Sequence, residues 1–362
     1  MIDLPAVLRY VVEQGASDLH IKVGSPPRVR INGELRMAPF PAVGPEECQE
    51  LTDIILPPER LDEFKTTGEA DFSLSVSGLG RFRCNAFRQR GTPGLVLRRV
   101  LPSALSATDL GLPPVVTRLA EEHRGLVLVT GPTGSGKTTT LAAMVDHINT
   151  NRAANIITIE DPIEVLHRDK MSIVSQREIG TDTTSWAQAM RRVLRQDPDV
   201  IVIGEMRDAD TISAALAAGE TGHLVLSSLH TTNATETINR IVDFFPPFQQ
   251  RQVRISLASV LRGVISQRLV PRADGIGRVA AVEAMVNTGR IADRILDPGS
   301  GSGESIEDVI AEGEYHGMIT FDQSLFNLFK AGEISLRAAL QAATNPHDFR
   351  VALQTAGLLP AL

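Results

Sequence analysis

The chain has 362 residues, a net charge of −7 and a pI near 5.7, which is long enough for two domains. With 43% apolar and 22% charged residues it reads as an ordinary globular protein, and the acidic balance argues against nucleic acid as a partner without excluding a local basic patch. Two cysteines, Cys48 and Cys84, are too few for a disulfide framework or a four-ligand zinc site and fit a reducing compartment; the start at Met1–Pro5 lacks a signal-peptide pattern, and no apolar run of about 18 residues predicts a membrane span.

Residues 4–14 predict a short amphipathic helix through Leu4, Val7, Leu8, Val11 and Val12. Residues 18–23 alternate like a strand. Residues 28–31 and 34–37 flank Asn32-Gly33, a hairpin signal. Helical patterns follow over 45–56 and 58–65, then strand patterns over 70–76, 81–90 and 94–101. This makes residues 1–102 a mixed α+β domain with a largely antiparallel sheet. Residues 103–115, rich in Pro, Ser, Thr and Gly, read as a linker.

The pattern then changes. Residues 125–130, 155–159, 199–203 and 223–229 are nearly continuous apolar strands, separated by helical stretches that include 136–149, 183–195 and 208–218. Such strands imply a parallel sheet covered on both faces, here a core domain over 116–287. From 288 to 362 the pattern is helical, interrupted by Gly299-Ser-Gly-Ser-Gly303, a flexible loop.

Gly131-Pro132-Thr133-Gly134-Ser135-Gly136-Lys137-Thr138 is a complete phosphate-binding loop in the required strand–loop–helix context. The glycines let backbone N–H groups turn toward phosphates, and the helix N-terminus adds its partial positive charge. Lys137 is expected to reach the β- and γ-phosphates of ATP and the Thr138 hydroxyl to ligate Mg²⁺; the adjoining Thr139 completes the nucleotide-binding set. Glu160, Asp161 and Glu164 follow one strand. Glu205 follows another with only Gly204 between, a Walker B pattern for an acid that holds Mg²⁺ or its water. Each carboxylate could instead be a solvated loop acid or a helix N-terminal one.

His223 and His230 bracket one strand at an odd offset and so face opposite sides, which disfavours a shared metal site. His230, at the carboxyl end, sits where a γ-phosphate sensor would lie; capping of the next helix is the alternative. Arg81, Arg83, Arg88, Arg90, Arg98 and Arg99 crowd two strand patterns. They form either a solvated basic face or a source of arginine fingers to a triphosphate. No interleaved aromatics favour nucleic acid.

Taken together, the loop, Thr158-Ile-Glu-Asp-Pro-Ile-Glu164, Gly204-Glu-Met-Arg-Asp208, and Gly219-Glu-Thr-Gly-His-Leu224 with His230-Thr-Thr232 resemble the Walker A, Asp, Walker B and His boxes of the type II/IV secretion ATPases. Gln176-Arg-Glu178, Gln196-Asp-Pro-Asp199 and Gly317-Met-Ile-Thr-Phe-Asp-Gln323 resemble the twitching-motility retraction branch, PilT and PilU. The resemblance implies a PAS-like N-terminal domain, a RecA-like ATPase domain with a helical C-terminal end, and a homohexamer. It implies ATP and Mg²⁺ as cofactors, with Glu164 activating the attacking water, Glu205 organising Mg²⁺ and His230 completing the catalytic set. Of the N-domain arginines, Arg83 and Arg99 match best those that contact phosphates. The expected setting is cytoplasmic, peripheral at the inner-membrane pilus base, with a membrane platform protein as partner and a second retraction ATPase as a further one. PilT proteins carry an Ala-Ile-Arg-Asn-Leu-Ile-Arg-Glu helix tied to retraction. Here Arg290-Ile-Ala-Asp-Arg-Ile-Leu-Asp297 keeps its apolar spacing but not its charge pattern, nearer to PilU, which leaves an accessory role open beside that of the motor, with a RecA-like nucleic-acid translocase as the rival from another class.

Overall fold

The computed structural model describes residues 3–31, 33–299 and 304–360. Asn32 of the expected hairpin turn, Met1 and Ile2 at the start, and positions 300–303 of the expected Gly/Ser loop lie outside the described residues. Contacts group the chain into two compact units, Met1–Ser103 with Glu164–Leu166, and Ala104–Ile163 with His167–Leu362.

In the first unit, helix α1 (Leu4–Glu13) starts where the Asp3 carboxylate accepts from Ala6 N, and it buries Val7, Leu8 and Val11. Strands β1 (Asp18–Lys22), β2 (Arg28–Ile31) and β3 (Glu34–Met37) follow, then α2 (Pro45–Ile55), α3 (Pro58–Thr67), β4 (Glu69–Val76), β5 (Gly80–Gln89) and β6 (Thr92–Arg99). The strands form one antiparallel sheet in the order β3-β2-β1-β6-β5-β4. Its inner face is read directly from alternation: Phe82, Cys84 and Ala86 on β5 and Leu95 and Leu97 on β6 are fully buried. Both cysteines are buried and unpaired, and burial pushes the Cys84 thiol up to about 12, so it packs as an apolar group.

The second unit runs through α4 (Val115–Ala120), β7 (Gly125–Thr130), α5 (Lys137–Asn151), β8 (Asn155–Glu160), β9 (Ile173–Glu178), α6 (Trp186–Val193) and β10 (Val200–Ile203). It continues with α7 (Ala209–Glu220), β11 (Leu224–Leu229), α8 (Ala234–Asp243), α9 (Pro247–Val260), β12 (Leu261–Pro271) and β13 (Arg278–Val286). The sheet order is β13-β12-β7-β11-β10-β8-β9, all neighbours parallel except the β12–β13 hairpin. Helices cover both faces. Leu126, Leu128, Ile201 and Ile203 pack in one core, Val127, Val129, Val200 and Val202 in the other, which is why these strands are apolar throughout. After the sheet come α10 (Gly289–Leu296), α11 (Ile306–Ala311), a 3₁₀ turn at Glu314–His316, α12 (Phe321–Lys330), α13 (Leu336–Ala342) and α14 (Pro346–Thr355).

Strand β9 and the β12–β13 hairpin had no counterpart in the apolar pattern. In β12 the reason is local: Ser266, Gln267 and Arg268 interrupt the apolar run, although Ser266 and Gln267 are buried. Among the described residues no helix is long and apolar enough to cross a membrane.

Candidate functional site

The Gly131–Gly136 segment joins β7 to α5. Its turn needs Gly131, Gly134 and Gly136, at φ +145°, +79° and +93°, which other residues rarely adopt. Two of them also lie against β12. A Cβ on Gly131 would come to 2.5 Å from the Gln267 carbonyl oxygen, and one on Gly136 to 2.8 Å from Gln267 Nε2. Gln267 is itself held, since its Oε1 accepts from Thr140 Oγ1 of α5 over 2.7 Å. Lys137 is buried, and its ammonium donates to the carbonyls of Gly131 at 2.8 Å and Pro132 at 3.1 Å. The Ser135 hydroxyl is buried without a hydrogen-bond partner. Pro132, Thr133 and Thr138 are exposed, and Thr139 is half-buried. An orphaned hydroxyl, a glycine cradle, a buried cation and an accessible helix N-terminus fit a nucleoside triphosphate. The Thr138 hydroxyl at the head of α5 fits Mg²⁺, which takes one or two protein groups plus substrate phosphates. Gly131→Ala is expected to cost roughly 2–3 kcal/mol of stability, through both φ and the clash with a backbone oxygen. Denaturant unfolding measures this, and an unchanged midpoint would show that the cradle relaxes.

Next to β7 in the sheet are β11 and then β10, and their carboxyl ends carry His230 and Glu205. The Glu205 loop is laced to both neighbouring strands: Gly204 N donates to Ile159 O at 2.8 Å, Ser228 Oγ donates to Gly204 O at 2.6 Å, and Met206 N donates to Ser228 O at 3.1 Å. The Glu205 side chain is 15% exposed. His230 Nε2 lies 2.9 Å from Glu205 Oε2; a carboxylate only accepts, so Nε2 carries the hydrogen. The Arg207 guanidinium pairs with Glu205 Oε1. The cap of α8 is Asn233, which accepts from Glu236 N at 2.8 Å, so capping does not use His230. His223 sits at the far end of β11, its Nδ1 close to Ala218 O and Thr221 Oγ1.

Of the acids after β8, Glu160 Oε1 accepts from Thr158 Oγ1 at 2.5 Å and Gln176 Nε2 at 3.0 Å, while Asp161 is exposed. The next turn, with a cis Asp161–Pro162 bond, is pinned where buried Glu178 accepts from Ile163 N at 3.0 Å. Glu164 is exposed and groups with the first unit. There Leu101 N donates to Glu164 O at 3.2 Å and Leu166 N to Leu101 O at 2.9 Å, bracketing a parallel bridge between Leu101 and Val165.

The arginine pair singled out from the sequence is separated by the register. Arg83 stands opposite Arg98, and Arg99 opposite the fully buried Phe82. Paired residues share a face, so Arg83 and Arg99 belong to opposite faces of the sheet. Arg98 Nε donates to Asp18 Oδ1 at 2.7 Å. Burial raises the Asp18 carboxyl, but the Ser17 hydroxyl and Arg98 outweigh it and hold the group below its ordinary range.

Sequence reasoning missed Arg207 and the supports Ser266 and Gln267. Arg207 was visible only as a charge beside an acid. Ser266 and Gln267 were visible only as a polar island in an apolar run.

The family model described as "Type II/IV secretion system protein" matches residues 2–292. The type IV pilus retraction ATPase PilT of Pseudomonas aeruginosa is 43% identical over 348 residues, 96% of this chain and 100% of that protein. The type IV pilus ATPase PilU of the same organism is 40% identical over 353 residues, 98% of this chain and 92% of that protein. The crystal structure of the pilus retraction motor PilT with bound ADP superposes with a TM-score of 0.87 at 44% identity, covering 96% of this chain and 99% of that one.

Proposed function

The chain belongs to the type II/IV secretion system protein family, and we propose that it is an ATP-hydrolysing ring motor that powers type IV pilus retraction and twitching motility. The observation that carries this reading is the Lys137 loop at the end of β7, with His230 and Glu205 in contact at the ends of the next two strands. That is a triphosphate site with an acid and a sensor beside it. The resemblance to PilT and PilU over nearly the whole chain supplies the pilus as the object of the work.

In this reading the Gly131–Thr139 segment wraps the phosphates, and Lys137 leaves its own loop carbonyls to meet the β- and γ-oxygens. Thr138 and Glu205 would hold Mg²⁺, which when bound would supply positive charge beside the transferred phosphoryl group. Glu164 takes the proton of the attacking water, and His230 reports the γ-phosphate to Glu205. Arg83 and Arg99 are the arginines assigned to phosphate contact, and they reach it from opposite faces of their sheet. The first unit is assigned a PAS-like fold and the second a RecA-like one. The working form is a homohexamer at the cytoplasmic face of the inner membrane, bound to a pilus platform protein. Light scattering at micromolar protein with a non-hydrolysable ATP analogue is expected to give a mass of about six chains, and a monomer at every concentration would refute the ring.

A second reading, an accessory PilU-like ATPase assisting another retraction motor, is favoured by α10. Ile291 and Ile295 are fully buried there, four apart on one face. Arg290 pairs with Glu304 and, at 2.8 Å, with Glu312, and Arg294 lies 3.7 Å from Glu304. The basic groups of this helix are thus engaged within the chain. Complementation of a strain lacking its own PilT separates the readings. Failure to restore full twitching is expected for the accessory role, and full rescue by this chain alone would establish an autonomous motor.

A further inference from the structure

Glu283 is a buried carboxylate that none of the steps above uses. It lies on β13, 6% exposed. It stands opposite Ser266 of β12, which stands opposite Thr130 at the end of β7. Thr130 Oγ1 donates to Ser266 Oγ at 3.0 Å. At the other end, Glu283 Oε1 accepts from Ala234 N at 2.8 Å. Ala234 is the first residue of α8, directly after the His230–Asn233 segment. First-turn amides have no partner within their helix. The cap, Asn233, serves Glu236 N, and the buried amide of Ala234 is met from another strand. Holding a carboxylate there is costly: burial pushes its acid up to about 7, the Ala234 amide pulls it back, Glu307 on α11 adds to the rise, and Arg268 and Ser266 oppose it.

We propose that Glu283 is a positioning residue that fixes the start of α8, and with it the His230 segment, against the strands that carry the phosphate loop. The two contacts it joins are the N-terminus of the helix behind His230 and, through Ser266, the residue preceding Gly131. His230 touches Glu205 by a single hydrogen bond at 2.9 Å. A small shift of the segment would break that bond without disturbing the loop that binds nucleotide. The effect of Glu283 is therefore on turnover and not on nucleotide affinity. This inference rests on the ATPase reading.

The test compares the parent with Glu283→Ala and Glu283→Gln in steady-state ATP hydrolysis, affinity for a fluorescent ATP analogue and thermal unfolding. Glu283→Ala is expected to lose about tenfold or more in kcat, the scale on which misplacing a catalytic group acts, while analogue affinity stays within about threefold. Glu283→Gln keeps an acceptor oxygen and is expected to restore kcat to within about threefold of the parent. A cooperatively folded Glu283→Ala with parent kcat overturns the proposal, and so does a Glu283→Gln as slow as Glu283→Ala. If Glu283→Ala does not fold, the ratio of parent to Glu283→Gln kcat decides across neutral pH. It is expected to rise through about pH 7 as the parent carboxyl ionises and binds the amide more strongly than a neutral side chain does; a flat ratio overturns the proposal. A parent that binds nucleotide without turning it over sinks the ATPase reading and this proposal together, whereas an active parent matched by Glu283→Ala sinks this proposal alone.

Discussion

Lys137→Ala is expected to abolish ATP hydrolysis, lowering kcat by roughly 10²–10³-fold or more. The ammonium is the one buried cation of the loop, and it donates to two carbonyls of that loop, Gly131 and Pro132. Truncation removes the charge that offsets the β/γ-phosphates and leaves those carbonyls without their donor. Nucleotide affinity is expected to fall as well, since the same charge serves ground state and transition state. A purified, folded Lys137→Ala that hydrolyses ATP at the parent rate would remove the basis of the proposed function.

Glu164→Gln is expected to stop turnover, by about 10²–10⁴-fold in kcat, while ATP binding persists. The amide keeps the shape and loses the base. Glu160 and Glu164 of this segment are held differently. Glu160 already accepts from Thr158 and Gln176 through one oxygen, which fixes its carboxylate. Glu164 is exposed, and among the described residues its backbone carbonyl accepts from Leu101 N. Its side chain is therefore the one that can be aimed by whatever moves the 164–166 segment. Single-turnover measurements with radiolabelled ATP separate binding from cleavage. If Glu164→Gln cleaves at the parent rate, the base is Glu160 or Asp161, and the corresponding amide variants identify which.

Much of the molecule was legible in the chain because the physics was local. Residues 125–130, 155–159 and 223–229 are nearly unbroken apolar runs, and a strand buried on both faces needs nothing else. Alternation in β5 and β6 declared an inner and an outer face, and Gly131, Gly134 and Gly136 declared a turn that only glycine makes. The expected ends were displaced by a few residues where caps decide. The helix expected from 183 begins after Ser185, whose hydroxyl accepts from Gln188 N.

What the sequence determined by itself is the glycine-rich turn after residue 130, the apolar strands β7, β8, β10 and β11, and the acids that follow β8 and β10 in the chain, because each follows from neighbours in the chain. Tertiary structure alone decided which of those groups meet. Glu205 and His230 are 25 residues apart in sequence and 2.9 Å apart in space, because β10 and β11 are neighbours in the sheet. Arg83 and Arg99 looked equivalent until the β5–β6 register put them on opposite faces. Gln267 and Glu283 carry no motif, and their roles come from β12 and β13 lying beside β7. Pairing between distant segments is set by burial of whole faces, and no local pattern of residues encodes it.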